Sequence, residues 1–84
     1  MKKEEHAELK RMVMAAAGIT TPTTKNLNEL TEHIMIITGL QLSFVTICRF
    51  FGLKESKFGP SVFTLHVLSL YYEQMYQEFF PVRR

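Results

Sequence analysis

Glycine and proline punctuate this chain at intervals that leave room for short helices and little else. Gly18, Gly39 and Gly52 each follow a stretch whose apolar residues recur at helical spacing. Glycine is the residue a helix end needs when the chain must turn left-handed. Pro22, Pro60 and Pro81 stand where a helix opens or has just ended. A chain of 84 residues divided in this way has room for one domain with one core. At 46% hydrophobic residues it can fill that core, which excludes a disordered chain.

Between the breaks the pattern is helical. Leu9, Met12, Val13 and Ala16 predict a first helix over residues 3–17, supported by three consecutive alanines. Leu27, Leu30, Ile34 and Ile37 form the inner stripe of a second helix, 24–38, and Met35 and Ile36 widen it. Its start has two candidate caps. One is Thr21, with Pro22 in the first helical position; the other is Asn26, with Glu29 three residues on. Ser43 caps a short third helix, 43–51, and a polar loop follows over 53–60. Ser61 caps a fourth, 62–73, with Leu65, Leu68 and Tyr72 on one face and Val67 and Tyr71 beside it. Residues 75–80 form a last helical turn or continue the fourth helix, up to the stop at Pro81. Ile34 to Ile37 and Phe44 to Ile47 have strand-like composition but lie between helix caps and stops. The expectation is an all-α, compact bundle of four to five short helices forming a single domain over 1–84.

Several function classes lack their residues. There is no aspartate and no glycine-rich phosphate loop. His6, His33 and His66 fall on three different expected helices, none with a second ligand at i+3 or i+4, so no metal or cofactor is expected. Cys48 has no partner for a disulfide. The serines sit in caps, in loops or on a helix, and no nucleophile, base and orienter assemble. The chain reads as a non-enzyme without a small-molecule substrate. No apolar run reaches the roughly 18–20 residues of a membrane span. The charged start lacks a signal peptide's apolar segment, so the expected location is the cytoplasm.

Net charge is +2, and its placement is uneven. Charges cancel over residues 1–40 and again over 73–84. The surplus lies in Arg49, Lys54 and Lys57 against Glu55 alone. Arg49, on a short helix, can take guanine O6 and N7 together, or a phosphate. Lys54 and Lys57 can neutralise phosphates from the loop after that helix. Lys25, near the start of the second helix, lies where the helix dipole also favours phosphate.

Three motifs then occur in order. Leu30-Thr31-Glu32-His33-Ile34 is followed by Thr38-Gly39. Leu42-Ser43-Phe44-Val45-Thr46-Ile47-Cys48-Arg49-Phe50-Phe51-Gly52 comes next, and Ser61-Val62-Phe63-Thr64-Leu65-His66-Val67-Leu68-Ser69 closes the set. Together they resemble small bacterial helix-turn-helix domains similar to the phage-repressor (Xre-like) DNA-binding family, over roughly residues 8–80. The resemblance implies a repressor-like fold that binds double-stranded DNA as a homodimer, with 43–51 as recognition helix. It implies groove-facing roles for Ser43, Phe44, Val45, Cys48 and Arg49, with Thr46, Ile47, Phe50 and Phe51 structural or near the backbone. The chain also departs from the family. Relatives carry polar residues at several positions where Phe44, Val45 and Cys48 stand, and Phe and Val cannot hydrogen-bond a base edge. Three apolar residues there fit a second reading: a helical interaction or dimerisation module of the same ancestry that does not bind DNA. Glu73-Gln74-Met75 stands where the family often has a Gly-Tyr turn.

Overall fold

The computed structural model describes residues 2–55 and 59–79. Among them are four helices and no strand: α1 (Lys2–Ala17), α2 (Thr24–Thr38), α3 (Phe44–Phe50) and α4 (Val62–Phe79). The Cα radius of gyration is 12.4 Å, against roughly 12 Å for a compact chain of this length. Among the described residues no helix is long and apolar enough to cross a membrane.

α4 is the strut of the molecule. It packs against both α1 and α2, while α3 is carried on α2. One contiguous core joins Val13 of α1, Leu27, Leu30 and Ile34 of α2, Ile47, Cys48 and Phe50 of α3, and Val67, Leu68, Tyr71 and Met75 of α4. Leu42 and Phe51, on either side of α3, close it. Burying side chains of this size contributes about 1.5–3 kcal/mol each relative to exposure.

Three expectations are corrected, and for residues 75–79 the second of the two expected courses holds: α4 continues unbroken to Phe79. No glycine or proline interrupts it, and Met75, 5% exposed, ties its later turns into the core. Phe80 and the Pro81 stop lie outside the described residues. The inner stripe of α4 is Thr64, Val67, Leu68, Tyr71 and Met75, with Leu65 and Tyr72 half-buried at its edge. Met35 and Ile36 do not widen the buried face of α2; Ile36 is 75% exposed.

The third correction concerns the α2 cap, which is neither Thr21 nor Asn26. It is Thr23, whose extended backbone (φ −126°, ψ 164°) leads into the helix and whose hydroxyl accepts the Asn26 N–H. Asn26 is the donor in this cap, and its side-chain amide reaches back to the Thr21 carbonyl at 3.1 Å. Ser43 and Ser61 repeat the arrangement. Each accepts the backbone N–H three residues on, at 3.0 Å from Thr46 and 3.1 Å from Thr64. In each case the serine and threonine hydroxyls also bond one another, at 2.8 Å and 3.0 Å. The two Ser-x-x-Thr motifs are therefore helix starts, each worth about 1 kcal/mol.

A polar tie crosses the core. His33 Nδ1 on α2 and the Tyr71 hydroxyl on α4 share a 2.8 Å hydrogen bond, with the rings edge to face. Tyr71 is completely buried, and burial pushes its hydroxyl up to about 12. A hydroxyl in that position needs a partner, and the half-buried His33 supplies it.

Candidate nucleic-acid interface

The exposed face of α3 is built by the turns at its two ends. On entry, the α2 helix stops at Gly39 (φ 75°), whose N–H returns to the Met35 carbonyl. The Thr38 hydroxyl then accepts the Leu40 N–H at 3.0 Å, and Leu42 anchors the turn in the core. On exit, Gly52 takes φ 87°, a conformation that strains any residue with a Cβ. The Leu53 N–H bonds the Cys48 carbonyl at 2.9 Å and the Gly52 N–H bonds the Arg49 carbonyl at 3.3 Å. This paired closure reverses the chain sharply. It places Lys54 immediately beside the end of α3, with its own N–H 3.3 Å from the Cys48 carbonyl.

α3 has only seven residues. A helix of two turns is unstable by itself, so packing must hold it. It therefore turns most of its circumference inward. Ile47 is fully buried, Cys48 3% exposed and Phe50 8% exposed, while Phe51 just after it is 4% exposed. Phe44 is half-buried against the same core. What remains outward is Val45 and Arg49, four residues apart and so on one face, with the half-buried Thr46 on the flank.

The expected groove-facing set divides accordingly. Ser43, Val45 and Arg49 are exposed at the N-terminus and on the outer face of α3, and Lys54 and Lys25 are exposed at the ends of the α2–α3 unit. Cys48 is a correction: it lies on the inward side beside Ile47, where no base edge can reach it. Phe44 shares that inward side, one helical turn before Cys48, and offers only part of its ring. Lys57 lies outside the described residues. Ser43 uses its hydroxyl for the cap, accepting from Thr46 and donating to the Thr46 hydroxyl. One acceptor lone pair remains for a ligand.

Gln41 is a residue the sequence reading passed over. It is exposed just ahead of the Ser43 cap, flanked by the half-buried Leu40 and the buried Leu42. An amide there can pair with adenine N6 and N7. The available signal was the lone polar residue between two leucines.

Neither family models, nor curated proteins, nor solved structures give a match to this chain.

The electrostatics of the face are simple. Among the described residues, the ion pair in the molecule is Glu8–Arg11 on α1, and Arg49 makes none with Glu55. Arg49, Lys54 and Lys25 are thus free to meet an anion. A second surface feature is an open depression of about 340 Å³ at the junction of α1 and α2, lined by Gly18, Ile19, Asn26, Glu29, Leu30 and His33 among others. His33, the one imidazole in it, is already bonded to Tyr71. Among the described residues no group of three His, Cys or Glu side chains comes together to hold a metal.

Proposed function

We propose that the chain is a DNA-binding regulator domain that sets the outer face of α3 against the major groove of double-stranded DNA. It is a binding module, not an enzyme, and acts in the cytoplasm. Arg49 takes a guanine edge or a phosphate in bidentate fashion, Val45 meets a thymine methyl, and Gln41 reads beside them. Lys25 and Lys54 neutralise flanking phosphates and set the register. The observation that carries the reading is the exposure of Arg49 and Val45 together on a short helix, with free lysines at both ends of the helix-turn-helix unit. In dimeric form the domain would span two half-sites about 34–36 Å apart, or a multiple of that.

The competing reading, a docking face made of Phe44, Val45 and Cys48, has less to work with. Cys48 is buried and Phe44 half-buried, which leaves Val45 as its one well-exposed member.

The test is capture of genomic DNA fragments on the purified chain at low and moderate salt. Enriched fragments should share a sequence, and binding should weaken steeply with salt, log K falling by about 0.9 per phosphate neutralised. The change Arg49→Ala should cost about 1–3 kcal/mol in affinity for those fragments. Absent or salt-independent capture would refute the proposal.

A further inference from the structure

The depression at the α1–α2 junction presents a donor and an acceptor that the fold itself does not use. Tyr71 is completely buried and keeps its proton up to about 12. Its hydroxyl has one hydrogen-bond partner, His33 Nδ1 at 2.8 Å. A buried O–H has to donate, so Nδ1 accepts, and the neutral imidazole carries its own proton on Nε2. That second nitrogen is turned away from Tyr71, on a ring that lines the depression. The His33 Nε2–H is therefore a donor held in a fixed tautomer.

The acceptor stands one helical turn earlier. Glu29 also lines the depression, is exposed, and has no ion pair among the described residues. Gly18 lines it at the end of α1, whose last turn has no basic residue, so the negative end of that helix dipole is left open there. Among the described residues no lysine or arginine lines the depression. Leu30, 2% exposed, and the half-buried Ile19 supply its apolar lining. At about 340 Å³ it lies at the small end of ligand pockets, which run roughly 300–1,000 Å³.

We infer that the depression binds a small α-amino acid with a short apolar side chain. Its ammonium group meets Glu29 and the end of α1, its carboxylate accepts the His33 Nε2–H, and its side chain lies against Ile19. Glu29 and His33 are four residues apart on one face of α2, about 5–6 Å between Cβ atoms. An ammonium and a carboxylate carried on one carbon span that gap. A lone cation would leave the His33 donor unmatched, and a lone anion would meet the charge of Glu29. Tyr71 is a positioning residue: it touches no ligand and sets which imidazole nitrogen holds the proton. The inference does not depend on DNA binding, and its test uses no DNA.

Nuclear magnetic resonance of the nitrogen-labelled full chain reads it at two levels. Before ligand is added, and with the ring neutral, the His33 nitrogens show the Nε2–H tautomer, which Tyr71→Phe releases to a mixture. Titrated with L-valine into the millimolar range, the amides of Gly18, Ile19 and residues 29–33 shift and saturate. Isobutylamine and isovalerate, which keep one charged group of valine each, bind roughly tenfold more weakly or worse. Glu29→Gln alters an exposed side chain, keeps its helix content by circular dichroism, and weakens valine binding by roughly tenfold. Tyr71→Phe weakens it a few-fold. An Nδ1–H tautomer in the free chain overturns the inference. So do amides that valine does not move, isobutylamine or isovalerate binding as tightly as valine, or a Glu29→Gln variant that binds valine as wild type does.

Discussion

α3 and α4 begin alike and end differently. Both open on a serine that accepts the N–H three residues on, and in both a threonine hydroxyl completes the cap. Beyond the cap, α3 runs for seven residues and α4 for eighteen. α3 buries most of its circumference because a two-turn helix has no stability of its own, so its outward face is narrow and defined by Val45 and Arg49. α4 is long enough to carry a core stripe and still leave Val62, Phe63 and Tyr76 exposed. The shared Ser-x-x-Thr motif therefore marks a helix start and says nothing about function. What each helix can bind is set by the residues after the cap.

The comparison can be broken first where it is strongest. Ile47→Ala in α3 and Leu68→Ala in α4 should each cost about 2–5 kcal/mol, read by urea unfolding. Both should lower a single cooperative transition, because one core holds both helices. A variant of Ile47 that melts α3 alone would show that the short helix is a separate unit.

The next effect concerns the tie between α2 and α4. His33→Ala leaves the buried Tyr71 hydroxyl without its partner and should cost about 1–3 kcal/mol, whereas Tyr71→Phe removes the need and should cost less. The folded state holds the Tyr71 proton up to about 12 against 10.0 unfolded, so its contribution to stability is full below pH 10 and falls as pH rises toward 12. Unfolding followed across that range should show a steeper loss in wild type than in Tyr71→Phe.

Smaller effects sharpen the contrast between the two helices. Gly52→Ala meets no neighbouring atom but must hold a left-handed backbone, at about 1–2 kcal/mol. It should also misplace Lys54 and weaken the proposed DNA binding. Ser43→Ala and Ser61→Ala should each cost about 1 kcal/mol. Hydrogen exchange should localise the first to α3, which has no turns to spare, and spread the second along α4. Arg49→Ala should change thermal stability by less than about 0.5 kcal/mol, since its side chain is exposed, while costing the proposed DNA affinity about 1–3 kcal/mol.

Much of the helical plan was legible because it is written in local residues. Gly18, Gly39 and Gly52 mark ends, Ser43 and Ser61 mark starts, and each does so by a bond within a few residues. The α2 cap was misread because Thr21, Thr23 and Asn26 all carry capping groups close together, and only backbone geometry separates them. A break before residue 75 and a continuous helix both stayed open in the sequence, because the family pattern has a turn there while the chain itself has no glycine or proline. Cys48 was assigned outward by the same resemblance, although its place beside Ile47 and one turn after Phe44 puts it on the apolar side. On α4, Leu65, Leu68 and Tyr72 read as one face because two adjacent apolar stripes blur into one until packing separates them. The His33–Tyr71 bond joins residues 38 apart, a pairing no local pattern encodes.

The proposal that the outer face of α3 meets DNA is tested most directly by nuclear magnetic resonance of the labelled chain, titrated with a duplex recovered by the capture experiment. The shifts should concentrate on the backbone amides from Gln41 to Lys54 and at Lys25, leaving Met35, Ile36 and the exposed residues of α4 unmoved. Shifts centred on α1 or on α4, with Arg49 and Lys54 silent, would contradict the account.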